Sequence, residues 1–210
     1  MRRLIASLAA MMAAPMVLAA QSTTFSRFEV TPTVGYVWTA KLGTIAGTTG
    51  LDGAARYGAT LSYDLQAGGT THFELSYGYQ NAEVWLRDRP LFVADTFLTN
   101  MAQHQVLGGV LFELRRGRVR PFGMGQVGIA RFSPDGPDRE AETRFAAGAG
   151  LGFKYLDEKE RVGLRFQAKF IYTTVNESLQ VLCGTITCAE GTKNNQLMQF
   201  EPSVGVMFTF

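Results

Sequence analysis

Residues 203–210 decide the fold, and they read Ser203-Val204-Gly205-Val206-Met207-Phe208-Thr209-Phe210. A large apolar side chain stands at every second position from Val204 to Phe210, and Ser203, Gly205 and Thr209 stand between them. A period of two is typical of a β-strand whose faces meet different surroundings, because successive side chains point to opposite faces. The stretch therefore predicts a strand with one apolar face and one polar or small-residue face.

The same alternation recurs along most of the preceding chain. It appears in seven further segments, at residues 28–38, 56–63, 72–79, 105–114, 119–132, 144–155 and 161–172. Leu107 and Leu111 interrupt the polar face of the fourth segment. The fifth segment loses its phase between Gly123 and Gly128, where we expect a β-bulge. With the final stretch, the pattern predicts an all-β fold of eight antiparallel strands.

The polar faces carry charged side chains on several strands, interleaved with glycine. These side chains are Arg56, Glu74, Arg144, Lys154, Arg165, Lys169 and Glu201. Pairing Arg161 with Thr209 would place Lys169 opposite Glu201 on one polar face. An eight-stranded barrel is just wide enough for its side chains to fill the interior. We therefore expect a network of ion pairs inside a narrow barrel, with glycine leaving room for long side chains.

The connections between the predicted strands alternate in length. Residues 64–70, 115–118 and 156–160 form short connections, whereas residues 41–52, 82–103, 133–142 and 173–195 form longer ones. Short turns at one rim and long loops at the other are typical of a transmembrane up-and-down β-barrel, with periplasmic turns and extracellular loops. The alternation therefore predicts that both chain ends are periplasmic.

Aromatic residues are predicted to form a belt at each rim. The loop-rim belt contains Tyr36, Trp38, Tyr57, Phe145, Tyr172 and Phe200, and the turn-rim belt contains Tyr63, Phe73, Phe112, Tyr155, Phe208 and Phe210. Two belts fit two membrane interfaces. A soluble lipocalin-like barrel also alternates, but it needs no such belts, so the membrane barrel is favoured.

The N-terminal twenty residues are typical of a secretory signal peptide. Arg2 and Arg3 precede an apolar run that ends in small residues, and cleavage is expected after Ala19 or Ala20. We therefore expect export through the Sec pathway of a Gram-negative bacterium, with the barrel over residues 21–210. Removing two of the 20 basic residues leaves 18 against 18 acidic ones, so no excess positive charge favours nucleic acid.

Cys183 and Cys188 are the two cysteines of the chain. Close spacing in an exported protein favours a disulfide between them. Two thiols without a nearby histidine fall short of a four-ligand metal set. We expect neither a metal nor another cofactor.

The terminal stretch resembles the C-terminal assembly signal of bacterial outer-membrane barrels. Its defining positions are a polar residue, a glycine and two aromatics two residues apart: Ser203, Gly205, Phe208 and Phe210. Segments 120–128, 145–153 and 162–168 are similar to the outer-membrane β-barrel domain family, which includes the barrel of outer membrane protein A and the small outer membrane proteins X and W. The resemblance implies outer-membrane localisation, contact with lipid and lipopolysaccharide, and delivery by periplasmic chaperones to the barrel-assembly machinery.

Two features of the sequence resemble sites of chemistry but lack the context that this chemistry requires. Residues 123–128 spell the glycine pattern of dinucleotide-binding proteins, but no helical pattern follows to meet a pyrophosphate. His72 and His104 are the only histidines, and their predicted positions near opposite rims keep them from sharing a site. The His-x-Ser spacing of a lipid A deacylase is absent. We expect both histidines to be structural and the protein not to be an enzyme.

Three functions of different classes are consistent with these observations. The first is a monomeric structural or surface-interaction protein that acts through its extracellular loops, because binding residues usually lie on loops held by a rigid scaffold. The second is a narrow, porin-like channel for small or hydrophobic solutes. The third and weakest is a lipid-modifying enzyme. The loop sequences contain no motif that names a ligand.

Overall fold

The computed structural model describes residues 28–40, 42–44, 47–65, 69–87, 96–114, 117–136, 141–174 and 196–210. Its strands are β1 (Phe28–Thr39), β2 (Leu42–Thr44), β3 (Gly47–Leu51), β4 (Ala54–Asp64), β5 (Thr71–Arg87), β6 (Thr96–Glu113), β7 (Val119–Pro134), β8 (Glu142–Leu156), β9 (Val162–Thr174) and β10 (Gln196–Thr209). Among the described residues, no helix is long and apolar enough to cross a membrane.

Eight of these strands close into an antiparallel barrel. Around the wall the order is β1, β4, β5, β6, β7, β8, β9 and β10, and β10 pairs with β1 to close the ring. At the closing seam the backbone N–H of Phe210 donates to the carbonyl of Phe28 at 2.9 Å. The remaining strands, β2 and β3, form a short hairpin whose second strand pairs with β5. The predicted eight-stranded, all-β barrel is thus confirmed.

The ends of several strands differ from the sequence-based expectation. The expected loop 41–52 contains the β2–β3 hairpin. The expected loop 82–103 contains the last six residues of β5 and the first eight residues of β6. The expected bulge between Gly123 and Gly128 is wrong, because β7 keeps an unbroken register with both neighbours there. The register shift of the β5–β6 pair lies instead between Val84 and Trp85.

The wavering phase of β7 has a simple physical reason. Phe122 and Met124 point into the barrel, whereas Gly123 and Gly125 occupy the outward positions. On most of the wall, apolar residues face outward and small or polar residues face inward. This part of β7 has the reverse arrangement, although its strand geometry is unchanged. The alternation was therefore present, but hydrophobicity alone could not show it.

The outer surface of the barrel is apolar and its interior is largely polar. Exposed apolar side chains occur on all eight barrel strands, and buried polar ones lie opposite them. Members of both expected aromatic belts point outward, among them Trp38 and Tyr57 toward the loop end and Phe73 and Phe112 toward the turn end. Trp38 stacks on Phe200 across the β1–β10 seam, with ring centroids 5.8 Å apart.

Candidate functional site

The interior of the barrel, or lumen, holds three layers of paired polar side chains. We call them the upper layer, toward the long connections, the middle layer, and the turn-side layer, toward the short turns. In the upper layer Arg56 donates from Nη1 to Glu201 Oε2 at 2.8 Å and to Gln105 Oε1 at 2.7 Å. The same carboxylate binds Lys169, whose Nζ lies 3.0 Å from Oε1. Glu201 therefore carries two buried cationic partners.

The register of β9 and β10 explains part of the upper layer. Glu201 stands directly opposite Lys169, and Gly205 stands opposite Arg165, as the pairing of Arg161 with Thr209 implied. The second partner, Arg56, comes from β4, which is not adjacent to β10 in the wall. Alternation along single strands could not have indicated that contact, because it depends on which side chains meet across the lumen.

The middle layer is an ion pair between strands on opposite sides of the wall. Arg165 on β9 donates from Nη1 and Nη2 to the two oxygens of Glu74 on β5, at 2.6 and 3.1 Å. Gln126 also donates to Glu74, at 2.8 Å, and the ring of Phe122 lies 4.7 Å from the guanidinium carbon. Both charges are at most 1% exposed, so this bidentate pair lies fully inside the barrel.

The turn-side layer is centred on the ammonium group of Lys154. Its Nζ donates to Glu29 Oε2 at 2.5 Å and to Glu113 Oε1 at 2.9 Å. His72 lies beside the pair, with Nε2 3.3 Å from Glu113 Oε1 and Nδ1 in contact with Asp64. Each of these residues lies within three residues of the turn end of its strand, so the cluster closes the turn end of the lumen.

Neutral amides add a further bridge above the charged residues. Gln103 on β6 and Gln199 on β10 exchange hydrogen bonds of 3.1 and 3.0 Å. These strands lie opposite each other in the eight-strand wall. Gln80 donates to Gln103 at 2.9 Å and accepts from Arg56 at 3.1 Å, which connects the amides to the upper layer.

The structure brings six of the seven charged residues expected in the lumen into these layers. The seventh, Arg144, lies near the loop end of β8 and pairs with Glu142 on the same strand. Among the described residues, no ion pair or hydrogen bond joins Arg144 to the other six, which lie further toward the turn end of the lumen. Arg144 therefore belongs to the rim and not to the interior network.

Glycine on the inner face accommodates the long side chains. A Cβ atom at Gly78 would lie 3.1 Å from Cδ of Arg56, and one at Gly152 would lie 2.6 Å from Cζ of Phe122. At Gly150 a Cβ would lie 3.0 Å from Cγ of Lys169. The inner wall thus alternates long side chains with positions that hold no side chain at all.

An apolar cluster lies toward the loop end of the same lumen, and the alternation pattern did not predict it. We define the apolar cluster as Leu51, Ala54, Ala82, Val84, Met101, Leu107, Ala130, Phe132, Ala146 and Leu197. Leu107, which interrupted the polar pattern of β6, is one of its members. An apolar residue on the polar face of β6 could therefore have indicated apolar packing inside the barrel.

The partners of Lys154 were not predicted from the alternation pattern. Neither Glu29 nor Glu113 was among the charged residues expected in the lumen. Glu29 and Glu113 lie at the turn ends of β1 and β6, at the same level as Lys154 near the end of β8. This shared level is the feature from which the contacts could have been predicted. Among the expected assembly residues, Ser203 accepts from Gln167 at 3.0 Å inside the barrel. Cys183 and Cys188 lie outside the described residues.

A closed eight-stranded barrel that is apolar outside and polar inside, with aromatic belts at both ends, is a membrane-spanning β-barrel. A family comparison agrees with this class: the outer membrane protein beta-barrel domain matches residues 5–208. The chain belongs to the outer membrane protein beta-barrel domain family, and its location is the cell outer membrane.

Two solved structures have folds similar to that of this chain. Neisserial surface protein A has a TM-score of 0.58 and 14% sequence identity, with 87% of this chain and 97% of that chain covered. Outer membrane protein OprG from Pseudomonas aeruginosa has a TM-score of 0.60 and 13% identity, with 89% and 97% covered. No curated protein sequence matches the chain. At these identities the similarity concerns the fold alone.

Proposed function

We propose that this protein is a closed, non-enzymatic barrel that holds surface segments in position for contacts with other molecules. The observation that carries the proposal is the contact between opposite walls of the lumen. Glu74 binds Arg165, and Gln103 binds Gln199, each across the full width of the barrel. A hydrated path would have to separate buried charges, which costs several kcal/mol per unpaired ion.

The contacts to other molecules are assigned to the segments that join strands at the loop end. Residues 88–95, 137–140 and 175–195 connect β5 to β6, β7 to β8, and β9 to β10. We place these segments outside the cell and the short turns in the periplasm, which is the usual orientation of such barrels. One of the two fold relatives is named a surface protein, and this name is consistent with the proposed role.

The proposal also includes the route by which the protein is exported and assembled. Residues 1–20 would act as a signal peptide, Cys183 and Cys188 would form a disulfide, and the monomer would reach the membrane through periplasmic chaperones and the barrel-assembly machinery. The backbone pairing of Phe210 with Phe28 supports a structural part for the terminal aromatic residue, because it closes the ring at its turn end.

A non-enzymatic role is supported by the positions of the two histidines. His72 is buried in the lumen, whereas His104 lies on the outer face, where its Nδ1 is 2.9 Å from the hydroxyl of Tyr77. A wall of the barrel separates them, so they cannot act together on one substrate. General acid–base chemistry requires its groups within hydrogen-bond reach of one reacting centre.

Planar-bilayer recordings test the closed lumen. The refolded wild-type protein should show no stable ion conductance, because cross-lumen pairs fill the interior. The variant Glu74→Ala with Arg165→Ala should conduct, whereas the exposed-pair control Arg118→Ala with Glu158→Ala should remain closed. Stable conductance of the wild-type protein would contradict the proposal.

A loop replacement tests the surface role. Cells would display either the wild-type barrel or a variant whose residues 175–195 are replaced by a Gly-Ser linker of equal length. Their binding to a panel of immobilised glycans and matrix proteins would then be compared. We expect a binding partner that the variant loses, whereas replacing the turn-side residues 157–161 should leave binding unchanged. Equal binding of all three cell types would argue against the loops.

The apolar cluster favours a second candidate function, the passage of small hydrophobic solutes. Its buried members, such as Val84 and Met101, provide an apolar environment at the loop end of an otherwise polar lumen. Uptake of naphthalene into cells that contain the barrel would distinguish the candidates. The channel function predicts faster uptake than in cells without the protein and a loss of the gain in Met101→Asp. The scaffold function predicts no gain.

A further inference from the structure

The turn-side layer contains a set of ligand atoms that its hydrogen bonds leave incompletely used. One ligand atom each from Glu29, His72 and Glu113 lies within 4.8 Å of the other two. All three residues are buried, and they come from three different strands, β1, β5 and β6. The barrel wall therefore holds two carboxylates and one imidazole in a common position at the turn end of the lumen.

His72 is the second, independent indication of a ligand at this position. Its side chain is 3% exposed, and within the described part of the chain neither ring nitrogen has a partner with the alignment of a hydrogen bond. Both nitrogens nevertheless lie close to carboxylates, Nδ1 to Asp64 and Nε2 to Glu113. Short approach without hydrogen-bond alignment leaves the Nε2 lone pair available to a cation.

Glu113 also has a buried oxygen atom without a hydrogen bond among the described residues. Lys154 binds its Oε1 at 2.9 Å, but Oε2 is buried and has no hydrogen-bond partner among the described residues. The closest guanidinium nitrogen, Nη1 of Arg120, is 3.8 Å from Oε2, and the same side chain binds Glu160 at 2.7 Å. Lys154 thus occupies one oxygen of each glutamate, and the other oxygen of Glu113 has a distant ion-pair partner but no hydrogen bond.

The charges of the cluster also favour an additional cation. Asp64, Glu29 and Glu113 contribute three negative charges. Lys154 and Arg120 contribute two positive ones, and Arg120 is shared with a third glutamate. Buried negative charge without a matching cation is costly in a low-dielectric interior. A bound metal cation would balance it.

We propose that Glu29, His72 and Glu113 bind a divalent first-row transition-metal cation at the turn end of the lumen, with Asp64 orienting the imidazole. One imidazole with two carboxylates suits cations such as Zn²⁺, and three protein ligands leave a further position for water. A histidine that binds a metal through one nitrogen commonly has a carboxylate on the other. Asp64 stands in that place, directly opposite His72 in the β4–β5 pair.

This site differs from the expectation from the sequence, which contained no metal. Along the sequence, it was the close spacing of the two cysteines that suggested a possible ligand set. The three proposed ligands are separated by more than forty residues from one another along the chain. Only the closure of the barrel brings β1, β5 and β6 to the same end of the lumen, so no local spacing could have indicated them.

Zn²⁺ titration of the refolded, untagged full-length protein against a chromophoric chelator tests the proposal. The wild-type protein should bind one Zn²⁺, and binding should weaken as the pH falls because protons compete for His72. Asp64→Asn should weaken the affinity about 10- to 100-fold, as loss of a carboxylate behind a ligating histidine does elsewhere. His72→Gln should weaken it further than Asp64→Asn.

His104→Gln is the matched control, since it removes the other histidine from the outer face. It should bind Zn²⁺ as the wild-type protein does. Absence of Zn²⁺ binding by the wild-type protein would overturn the proposal. Equal loss in both histidine variants would also overturn it.

A second measurement covers the case in which His72→Gln does not fold. Zn²⁺ should raise the urea midpoint of the wild-type protein in a concentration-dependent manner, because a ligand that binds only the folded state stabilises it. A chelator should reverse the shift. An unchanged midpoint at saturating Zn²⁺ would contradict the proposed site.

Discussion

The polar layers and the apolar cluster share one lumen and one wall of eight strands, yet they fill it by different physical means. In the polar layers, long charged side chains reach across the interior and each depends on a specific partner, as Arg165 depends on Glu74. In the apolar cluster, side chains such as Val84 and Leu107 fill volume without directional contacts. The same alternation of the backbone therefore supports two kinds of interior.

This difference shows which property each region should be sensitive to. A buried ion whose partner is removed remains in a low-dielectric interior without compensation, so the polar layers should respond to lost charge even when volume is conserved. An apolar side chain that is shortened leaves a cavity, so the apolar cluster should respond to lost volume. Substitutions that change one property at a time can separate the two.

The largest effect is expected at Glu201. Glu201→Gln conserves volume but leaves Arg56 and Lys169 without their carboxylate, which lies 2.8 and 3.0 Å from them. Removing one partner of a buried pair costs about 3–5 kcal/mol. Urea-induced unfolding from lipid vesicles should show a loss of this size in the free energy of unfolding.

A double-mutant cycle checks the origin of that loss. Lys169→Met combined with Glu201→Leu removes one pair but still leaves Arg56 unpaired, so the double variant should remain clearly less stable than the wild type. Adding Arg56→Met should recover part of the stability, because apolar replacement of a whole buried ion cluster is often neutral or stabilising. A coupling energy near zero between Lys169 and Glu201 would show that the contact contributes no stability.

An intermediate effect is expected in the apolar cluster. Leu107 is 1% exposed, and Leu107→Ala should cost about 2–3 kcal/mol through lost burial and the cavity left behind. Leu107→Met nearly conserves volume and should cost less than about 1.5 kcal/mol. The same unfolding measurement applies. Equal losses in the two variants would mean that volume does not govern this region.

The strand pattern and the interior of the barrel were predictable from the sequence to different degrees. The register that places Lys169 opposite Glu201 could be predicted, because pairing within a hairpin follows from alternation and a short turn. The contact of Arg56 with Glu201 could not, because it joins strands that are not neighbours. Such contacts depend on the closure and tilt of the barrel, which alternation does not encode.

Two regions of the wall show the same limit. The chain around Ala82 and Gln103 looked like a loop because its composition is mixed, yet both residues pair within the long β5–β6 ladder. Leu107 and Leu111 looked like interruptions of a polar face, yet both are buried inside the barrel. A lumen that is polar at one level and apolar at another changes its pattern along a single strand.

The smallest effect is expected for a charge pair outside the lumen. Arg118 and Glu158 lie 2.5 Å apart at the turn rim, with side chains 60% and 78% exposed. Glu158→Gln makes the same chemical change as Glu201→Gln but should cost only about 0–1 kcal/mol, because water solvates the charge that remains.

Salt should abolish this small loss of stability in Glu158→Gln, since the screening length falls to about 3 Å at 1 M ionic strength. The loss caused by Glu201→Gln should persist at the same salt concentration, because the side chains of Arg56 and Glu201 are only 3% exposed and salt screens buried charges much less. Urea midpoints of both variants at low salt and at 1 M NaCl measure the contrast. If salt reduced both losses to the same extent, burial could not be the cause of the difference between the two carboxylates.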